Sequence, residues 1–105
     1  MITILSPLDY HLLGHPIQGE PKCIAVDIRD NIIVGRVAYH EVPHIGDIYV
    51  HEQYRNQNIA SNLIKRIEQI VPEYYTFPSN DASRGLFRKL GLKELPDLRI
   101  FVKEK

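Results

Sequence analysis

The sequence predicts an α/β layered fold, and three observations support this prediction. Between residues 23 and 50, runs of β-branched and other apolar residues alternate with turn signals, which is typical of a strand meander. After Tyr54 the apolar residues recur at helical spacing. The chain then continues as strand, helix and strand. From residue 23 onward the order is β, β, β, α, β, α, β, an arrangement that forms layers of sheet and helix.

Length and composition indicate a single domain over residues 1–105. The 13 Lys and Arg side chains balance the 13 Asp and Glu side chains. This neutrality argues against general nucleic-acid or membrane-surface binding, so neither partner is expected. Residues 51–105 carry 10 basic and 7 acidic side chains, and an anionic ligand is therefore expected in that half.

One cysteine, Cys23, excludes an internal disulfide and a CxxC zinc site, and it favours a reducing compartment. The first residues lack the basic and apolar regions of a signal peptide. No stretch approaches the roughly 20 apolar residues of a membrane helix. The sequence therefore predicts a soluble, cytoplasmic protein.

The first half is predicted to form strands. Prolines and glycines interrupt residues 1–22, which leaves room for a strand at residues 2–5 and a helical turn around residues 8–13. Strands are then predicted at residues 23–28, 32–39 and 45–50. A hairpin-type Asp-Asn turn joins the first two of these, and a proline separates the second from the third.

The second half contains the predicted helices. An amphipathic helix is expected from residue 59 to just before Pro72, with an inward stripe at Ile59, Leu63, Ile67 and Ile70. A strand is expected at residues 74–77. Asn80 or Asp81 is expected to cap a second helix that ends at Gly91. A last strand is expected at residues 98–102. The inward residues of the second helix are predicted to be Ser83, Leu86, Phe87 and Leu90.

Residues 48–64 are the most informative segment, because a strand leads through a polar turn into a helix N-terminus. Unpaired backbone N–H groups and the helix dipole favour phosphate oxygens at such a place. Asn56 and Asn58 are of the non-glycine type that best tolerates a left-handed backbone, and Ala60 keeps the first helical turn thin. The alternative is an ordinary β-turn-α connection.

Two segments resemble motifs of the GNAT N-acetyltransferase superfamily. Residues 55–60, five residues after Val50, resemble the Arg/Gln-x-x-Gly-x-Gly/Ala turn of motif A. Residues 80–92 resemble motif B, which has an Asn, a small residue three positions later, an aromatic residue and then Lys-x-Gly-Phe. The resemblance spans residues 23–103. It implies a central mixed, mostly antiparallel sheet flanked by helices, with an abbreviated N-terminal helical region.

The resemblance also implies coenzyme A binding, with acetyl-CoA as the acyl donor. Backbone groups of Ile48 and Val50 would contact the acetyl and pantetheine parts, and N–H groups of residues 55–61 would hold the pyrophosphate. Arg84, Arg88 and Lys89 are candidates for the adenosine-side phosphate, the alternative being a solvated helix face. The implied cofactor-binding residues are Ile48, Val50, Arg55, Asn56, Gln57, Asn58, Ile59, Ala60, Ser61, Asn80, Ser83, Phe87 and Arg88.

The sequence departs from the family pattern in three respects. Asn56 and Asn58 replace glycines, and a positive φ is accordingly expected at Asn58. Phe87 stands where motif B usually has a Tyr that protonates the leaving thiolate, so weak or absent activity is expected unless Phe87→Tyr restores it. Tyr74 or Tyr75 could substitute as the donor, but core packing is the role expected of either residue. The short N-terminal region leaves an open acceptor site, which suits a protein amine or a homodimer partner that completes it.

The sequence does not single out one residue as the general base. His44, Glu41 and Tyr75 are candidate catalytic residues, and Asp47 and His51 are also near the expected site. The alternative is that these residues are simply exposed loop residues without a catalytic role. In that case a water chain could carry the proton. The histidines do not have a metal-ligand spacing, so no metal is expected.

The predicted function is therefore an acyl-CoA-dependent N-acyltransferase that transfers acetyl to a primary amine by direct attack. No enzyme nucleophile is required, and Cys23 is expected in the core. The alternative is a catalytically silent CoA-binding or protein-interaction module of the same fold.

Overall fold

A computed structural model describes residues 1–14, 21–40 and 44–104, apart from the side chain at position 47. One sheet contains the strands β1 (Ile2–Leu5), β2 (Pro21–Arg29), β3 (Ile32–His40), β4 (His44–Val50), β5 (Tyr74–Thr76), β6 (Lys93–Leu95) and β7 (Ile100–Lys103). The helices are α1 (Pro7–Leu12), α2 (Ile59–Glu68) and α3 (Asp81–Lys89). A 3₁₀ turn, Glu52–Tyr54, lies between β4 and α2.

The strand order is β1-β2-β3-β4-β5-β7-β6. The described neighbours pair antiparallel except for β4 and β5, which are parallel. The predicted mixed, mostly antiparallel sheet with flanking helices is thus confirmed. The parallel pair is in register at His44 and Tyr75, and the Thr76 hydroxyl donates to the Ile45 carbonyl at 3.0 Å. Since this pairing lies at the start of β4, the described chain leaves the C-terminal part of β4 unpaired on its β5 side.

Two local irregularities shape the central strands. The hairpin between β2 and β3 turns at Asp30 and Asn31, whose φ angles are 52° and 65°, as a two-residue type I′ turn requires. In β4, Arg36 pairs with Tyr49 whereas Ala38 pairs with Gly46, so residues 47 and 48 together face one residue of β3. This is a β-bulge, which takes one residue out of the ladder and is common beside functional sites.

The sheet separates two groups of buried side chains. On one face, α2 packs Ile59, Leu63, Ile64 and Ile67 into the main core, which Phe87 of α3 and Phe101 of β7 extend. Gly35 of β3 lets α2 approach closely, because a Cβ there would lie 2.5 Å from Cγ2 of Ile59. The other face, called the α1 face here, buries Tyr10, Ile24, Val26 and Ala38 beneath the single turn-and-a-half of α1.

Several predicted boundaries differ from the structure. The helix that begins at Ile59 ends at Glu68, and Ile70 is 53% exposed instead of extending the inward stripe. The last strand begins at Ile100 because a turn with Arg99 at φ 56° precedes it. Strand β6 was not predicted, since three residues are too few to show a period. The predicted Asn80 cap and the Gly91 helix end, at φ 80°, are confirmed.

Candidate active site

The connection from β4 to α2 is a polar loop with two residues in the left-handed backbone conformation. Asn56 and Asn58 have φ angles of 65° and 59°, which confirms the positive φ expected at Asn58. Asparagine adopts this conformation more readily than most residues with a Cβ atom. Before the loop, the Nδ1 atom of His51 accepts a hydrogen bond from the Gln53 N–H at 3.2 Å and anchors the 3₁₀ turn.

The N-terminus of α2 differs from those of the other described helices. Ser6 caps α1 by accepting from the Asp9 N–H at 3.1 Å, and Asn80 caps α3 by accepting from the Ser83 N–H at 2.8 Å. Asn58, the N-cap of α2, makes no such side-chain bond to the described helix. The first-turn N–H groups of α2 therefore keep their capacity to bind an anion, and the helix dipole adds partial positive charge.

A cavity of about 170 Å³ opens at this helix N-terminus. The structure brings together many of the predicted cofactor-binding residues around it. Tyr54, Leu86 and Lys89 complete its wall, and Ala60 contributes the smallest side chain among those of the first turn. The predicted residues that line it are Val50, Arg55, Asn56, Asn58, Ile59, Ala60 and Ser61.

Three cationic side chains surround this loop. The Nζ atom of Lys89 lies 3.4 Å from Oδ1 of Asn58, and Nε of Arg55 lies 3.5 Å from the Val50 carbonyl. Arg29 donates to Oε1 of Gln57 at 2.9 Å. Sequence reasoning missed Arg29, because it reaches the loop from the β2–β3 hairpin and nothing local to it indicates that approach. The predicted residue Gln57 therefore holds Arg29 and does not line the cavity.

Arg84 and Arg88 lie away from this cavity, although Lys89 follows them directly on α3. Arg88 forms ion-paired hydrogen bonds with Glu94 at 3.1–3.3 Å, and Arg84 pairs with Asp81 at 3.3 Å. Both line a separate cavity of about 290 Å³ near β7. Of the three basic candidates on α3, the structure thus places Lys89 alone beside the helix N-terminus of α2.

Asn80 and Ser83 are joined at the start of α3, where the Asn80 Oδ1 is already used as the cap. Neither residue is among those that line the α2 cavity. Ile48 is half-buried in β4, follows the bulge and packs against the main core. These three predicted residues therefore do not form the wall of the cavity.

Phe87 faces inward, as the sequence predicts. The family resemblance also implies that it contacts the cofactor, at the position where the family has a proton donor. The structure buries the ring, which is 1% exposed and lies 5.4 Å from the ring of Phe101, measured between centroids. The reason is that α3 directs its most apolar side chain into the main core. The Phe87 side chain therefore offers no surface to a ligand in this structure.

The two tyrosines of β5 point to opposite faces. Tyr74 is buried, and its hydroxyl donates to Oε2 of Glu68 at 2.6 Å. Burial, with the adjacent Glu68, raises the pKa of Tyr74 far above its ordinary range, so this hydroxyl is a poor proton donor. Tyr75 lies on the α1 face, where its ring stacks on His44 with centroids 5.6 Å apart.

His44 belongs to an aromatic group on the α1 face beside the bulge. Its ring stacks on His40 at a centroid distance of 4.4 Å, and Phe77, which is 59% exposed, lies at its edge. A Cβ at Gly46 would lie 3.6 Å from Nε2 of His44 and 3.8 Å from Nε2 of His40. The candidate Glu41 and the side chain of Asp47 lie outside what the structure describes. Among the described residues no group of three potential metal ligands occurs.

A family model described as "Acetyltransferase (GNAT) family" matches residues 5–92. The chain belongs to the GNAT acetyltransferase family. The match includes both predicted motifs, from the β4–α2 loop to the end of α3. Members of this family are acyl-CoA-dependent acetyltransferases in general and commonly use acetyl-CoA. A search of curated proteins found no match. In the described part of this GNAT chain, no helix has the length and apolar character needed to cross a bilayer.

Proposed function

We propose that this GNAT protein transfers an acetyl group from acetyl-CoA to a primary amine. The observation that carries the proposal is the uncapped N-terminus of α2, with its two left-handed asparagines and the neighbouring Lys89. A pyrophosphate needs N–H donors and positive charge at close range, and this loop supplies both. The cofactor-binding assignment rests on that chemical fit together with family membership.

The pantetheine arm would lie along the part of β4 that has no described neighbour on its β5 side. There the backbone groups of Ile48 and Val50 would pair with its amides, in the way an added strand pairs with a sheet edge. Asn80 lies at the start of α3 and keeps its side-chain NH₂ as a donor for the same arm, since its cap uses only Oδ1. The bound donor supplies a thioester: the amine nitrogen forms the C–N bond, the C–S bond breaks, and the thiol leaves as CoA.

The β4 bulge would provide a hydrogen-bond donor for the thioester carbonyl. Residues 47 and 48 share one partner position on β3, so a backbone N–H there is released from the ladder. A fixed N–H beside the thioester carbonyl stabilises the negative charge that develops on its oxygen. This arrangement gives the bulge a role in catalysis that needs no side-chain chemistry.

His44 is the proposed general base. It lies on the α1 face beside the bulge, and stacking on His40 and Tyr75 holds its ring. A neutral imidazole accepts the proton that an ammonium acceptor must lose before attack. A water chain along the same face is the alternative route. The cytoplasmic location and a homodimer partner remain predictions from the sequence.

A second candidate function is a catalytically silent CoA-binding or protein-interaction module. The burial of Phe87 favours it, because the position of the usual proton donor holds a core side chain. The Tyr74 hydroxyl is no substitute for that donor, since it already donates to Glu68.

Calorimetric titration with acetyl-CoA and with CoA tests the proposal, combined with an assay for CoA release with a panel of amines. Binding together with amine-dependent CoA release is the expected result. Binding of both ligands without release for any amine would favour the silent module. Absence of binding would overturn the assignment of the α2 loop and the proposed activity together.

A further inference from the structure

We infer that the acceptor is an amine that also carries a carboxylate, as an amino acid does, and that Arg36 binds this carboxylate. The inference rests on the proposed acetyl transfer and adds the substrate class. It starts from a side chain that neither the sequence motifs nor the acyl-donor site uses.

Arg36 lies beside the bulge on the α1 face, the face that carries the proposed base. It is directly opposite Tyr49 in the β3–β4 register, one position beyond the bulged residues 47 and 48. Its Nη1 donates to the hydroxyl of Tyr10 on α1 at 2.9 Å, which places the guanidinium on the α1 face. His40 and His44 are in register on the same two strands and the same face. The cation and the proposed base therefore border one surface.

The charge of Arg36 has no carboxylate partner among the described residues. Arg29, Arg84 and Arg88 all pair with an Asp or Glu. The partners of Arg36 are the neutral Tyr10 hydroxyl and the face of the Tyr49 ring, 5.3 Å from the guanidinium carbon. Its Nε is buried and has no hydrogen-bond partner in the described structure. A half-buried cation with an unused N–H requires a hydrogen-bond acceptor, which the described chain does not supply.

The geometry of the guanidinium favours a carboxylate as this hydrogen-bond acceptor. Tyr10 accepts from Nη1, so the edge formed by Nε and Nη2 has no partner among the described residues, and carboxylates bind such an edge with two parallel hydrogen bonds. Since Nε is buried, binding of a ligand at this edge requires the guanidinium to turn over the Tyr49 ring. A polyamine would instead place a second positive charge beside Arg36. The preferred acceptor is therefore a small amine with a carboxylate a few bonds from the nitrogen.

The test compares amino acids with their neutral amides as acceptors. CoA release is measured for the parent, for Arg36→Gln and for Arg36→Lys, which keeps the charge but loses the fork. Arg66→Gln is the control, since Arg66 lies on α2 and bonds to Gln69. The parent should prefer the free acid, and Arg36→Gln should lower kcat/KM for acids about 10- to 100-fold while amides change little. The kcat/KM of Arg36→Lys for acids should lie between those of the parent and Arg36→Gln, and the kcat/KM of Arg66→Gln should equal that of the parent.

Equal rates for acids and amides in the parent, or an equal loss for both in Arg36→Gln, would overturn the inference. An equilibrium binding measurement tests the carboxylate site independently of the proposed acetyl transfer. N-acetylated amino acids and their amides are titrated into the same variants and followed by NMR, which requires no turnover. Preferential binding of the acids that Arg36→Gln abolishes would support the carboxylate site even without catalysis. Equal binding of acids and amides would reject the site even in an active enzyme.

Discussion

The Nζ atom of Lys89 lies 3.4 Å from Oδ1 of Asn58, the left-handed residue at which α2 begins. This contact joins the two sequence motifs, whose interacting residues are 31 positions apart. It places the last charged residue of α3 in the wall of the cavity at the N-terminus of α2, where an anion would bind. The positive end of the helix and the Lys89 ammonium therefore act on the same small volume.

Lys89→Gln should weaken acetyl-CoA binding about 3- to 10-fold, because it removes a cation beside the proposed pyrophosphate site while the helix dipole remains. The affinity of the variant should also depend less on salt concentration than that of the parent. Arg88→Gln is the control, since Arg88 pairs with Glu94 at the other cavity. Titration calorimetry at two salt concentrations measures both effects. A larger loss in Arg88→Gln than in Lys89→Gln would contradict this assignment.

Ala60→Leu should weaken acetyl-CoA binding by at least about tenfold, equivalent to about 1.4 kcal/mol, because the larger side chain fills the cavity at the α2 N-terminus. Leucine favours helix nearly as well as alanine, so the helix itself should persist. Ala82→Leu is a matched control at the second residue of α3, where the position is exposed. Parent-like binding in Ala60→Leu, with normal circular dichroism, would place the phosphate site elsewhere.

Asn58→Ala should lower the free energy of unfolding by about 1–2 kcal/mol, because alanine is strained at a φ of 59°. Asn58→Gly should be close to the parent or more stable, and it should bind acetyl-CoA at least as well. Asn62→Ala, four residues later on the exposed side of the right-handed helix, should instead raise stability by up to about 0.7 kcal/mol. Urea unfolding of the three variants measures these differences. The same sign of change for both alanine variants would argue against a left-handed Asn58.

Phe87→Tyr should lower the free energy of unfolding by about 1–3 kcal/mol and should not accelerate CoA release. The reason is that a hydroxyl on this buried ring would meet the side chains of the main core without a partner. Phe77→Tyr, on an exposed ring, should leave stability within about 0.5 kcal/mol of the parent. Thermal unfolding and the CoA-release assay are the measurements. A faster, fully stable Phe87→Tyr enzyme would show that the ring reaches the donor site during turnover.

Most of the fold could be predicted because its signals are local. The change from strand to helix after Tyr54, the Asp30–Asn31 turn and the Asn80 cap each depend on a few consecutive residues. Errors occurred where local signals were short or tertiary packing decided the boundary. Three residues could not reveal β6, and Ile70 continued an apolar period beyond the end of its helix.

By itself, the sequence determined the family through its two motifs. It also determined the order of the longer strands and helices and the left-handed backbone before α2, since steric limits and hydrogen bonding within a few residues govern these features. Only the tertiary structure decided which side chains meet there. Adjacent residues of one helix point about 100° apart, so Lys89 reaches Asn58 while Arg88 turns to Glu94. Packing likewise buried Phe87 in the core and left Arg36 without an acidic partner in the described structure. Such partners come from strands and helices distant in the chain, and they are set when those elements pack together.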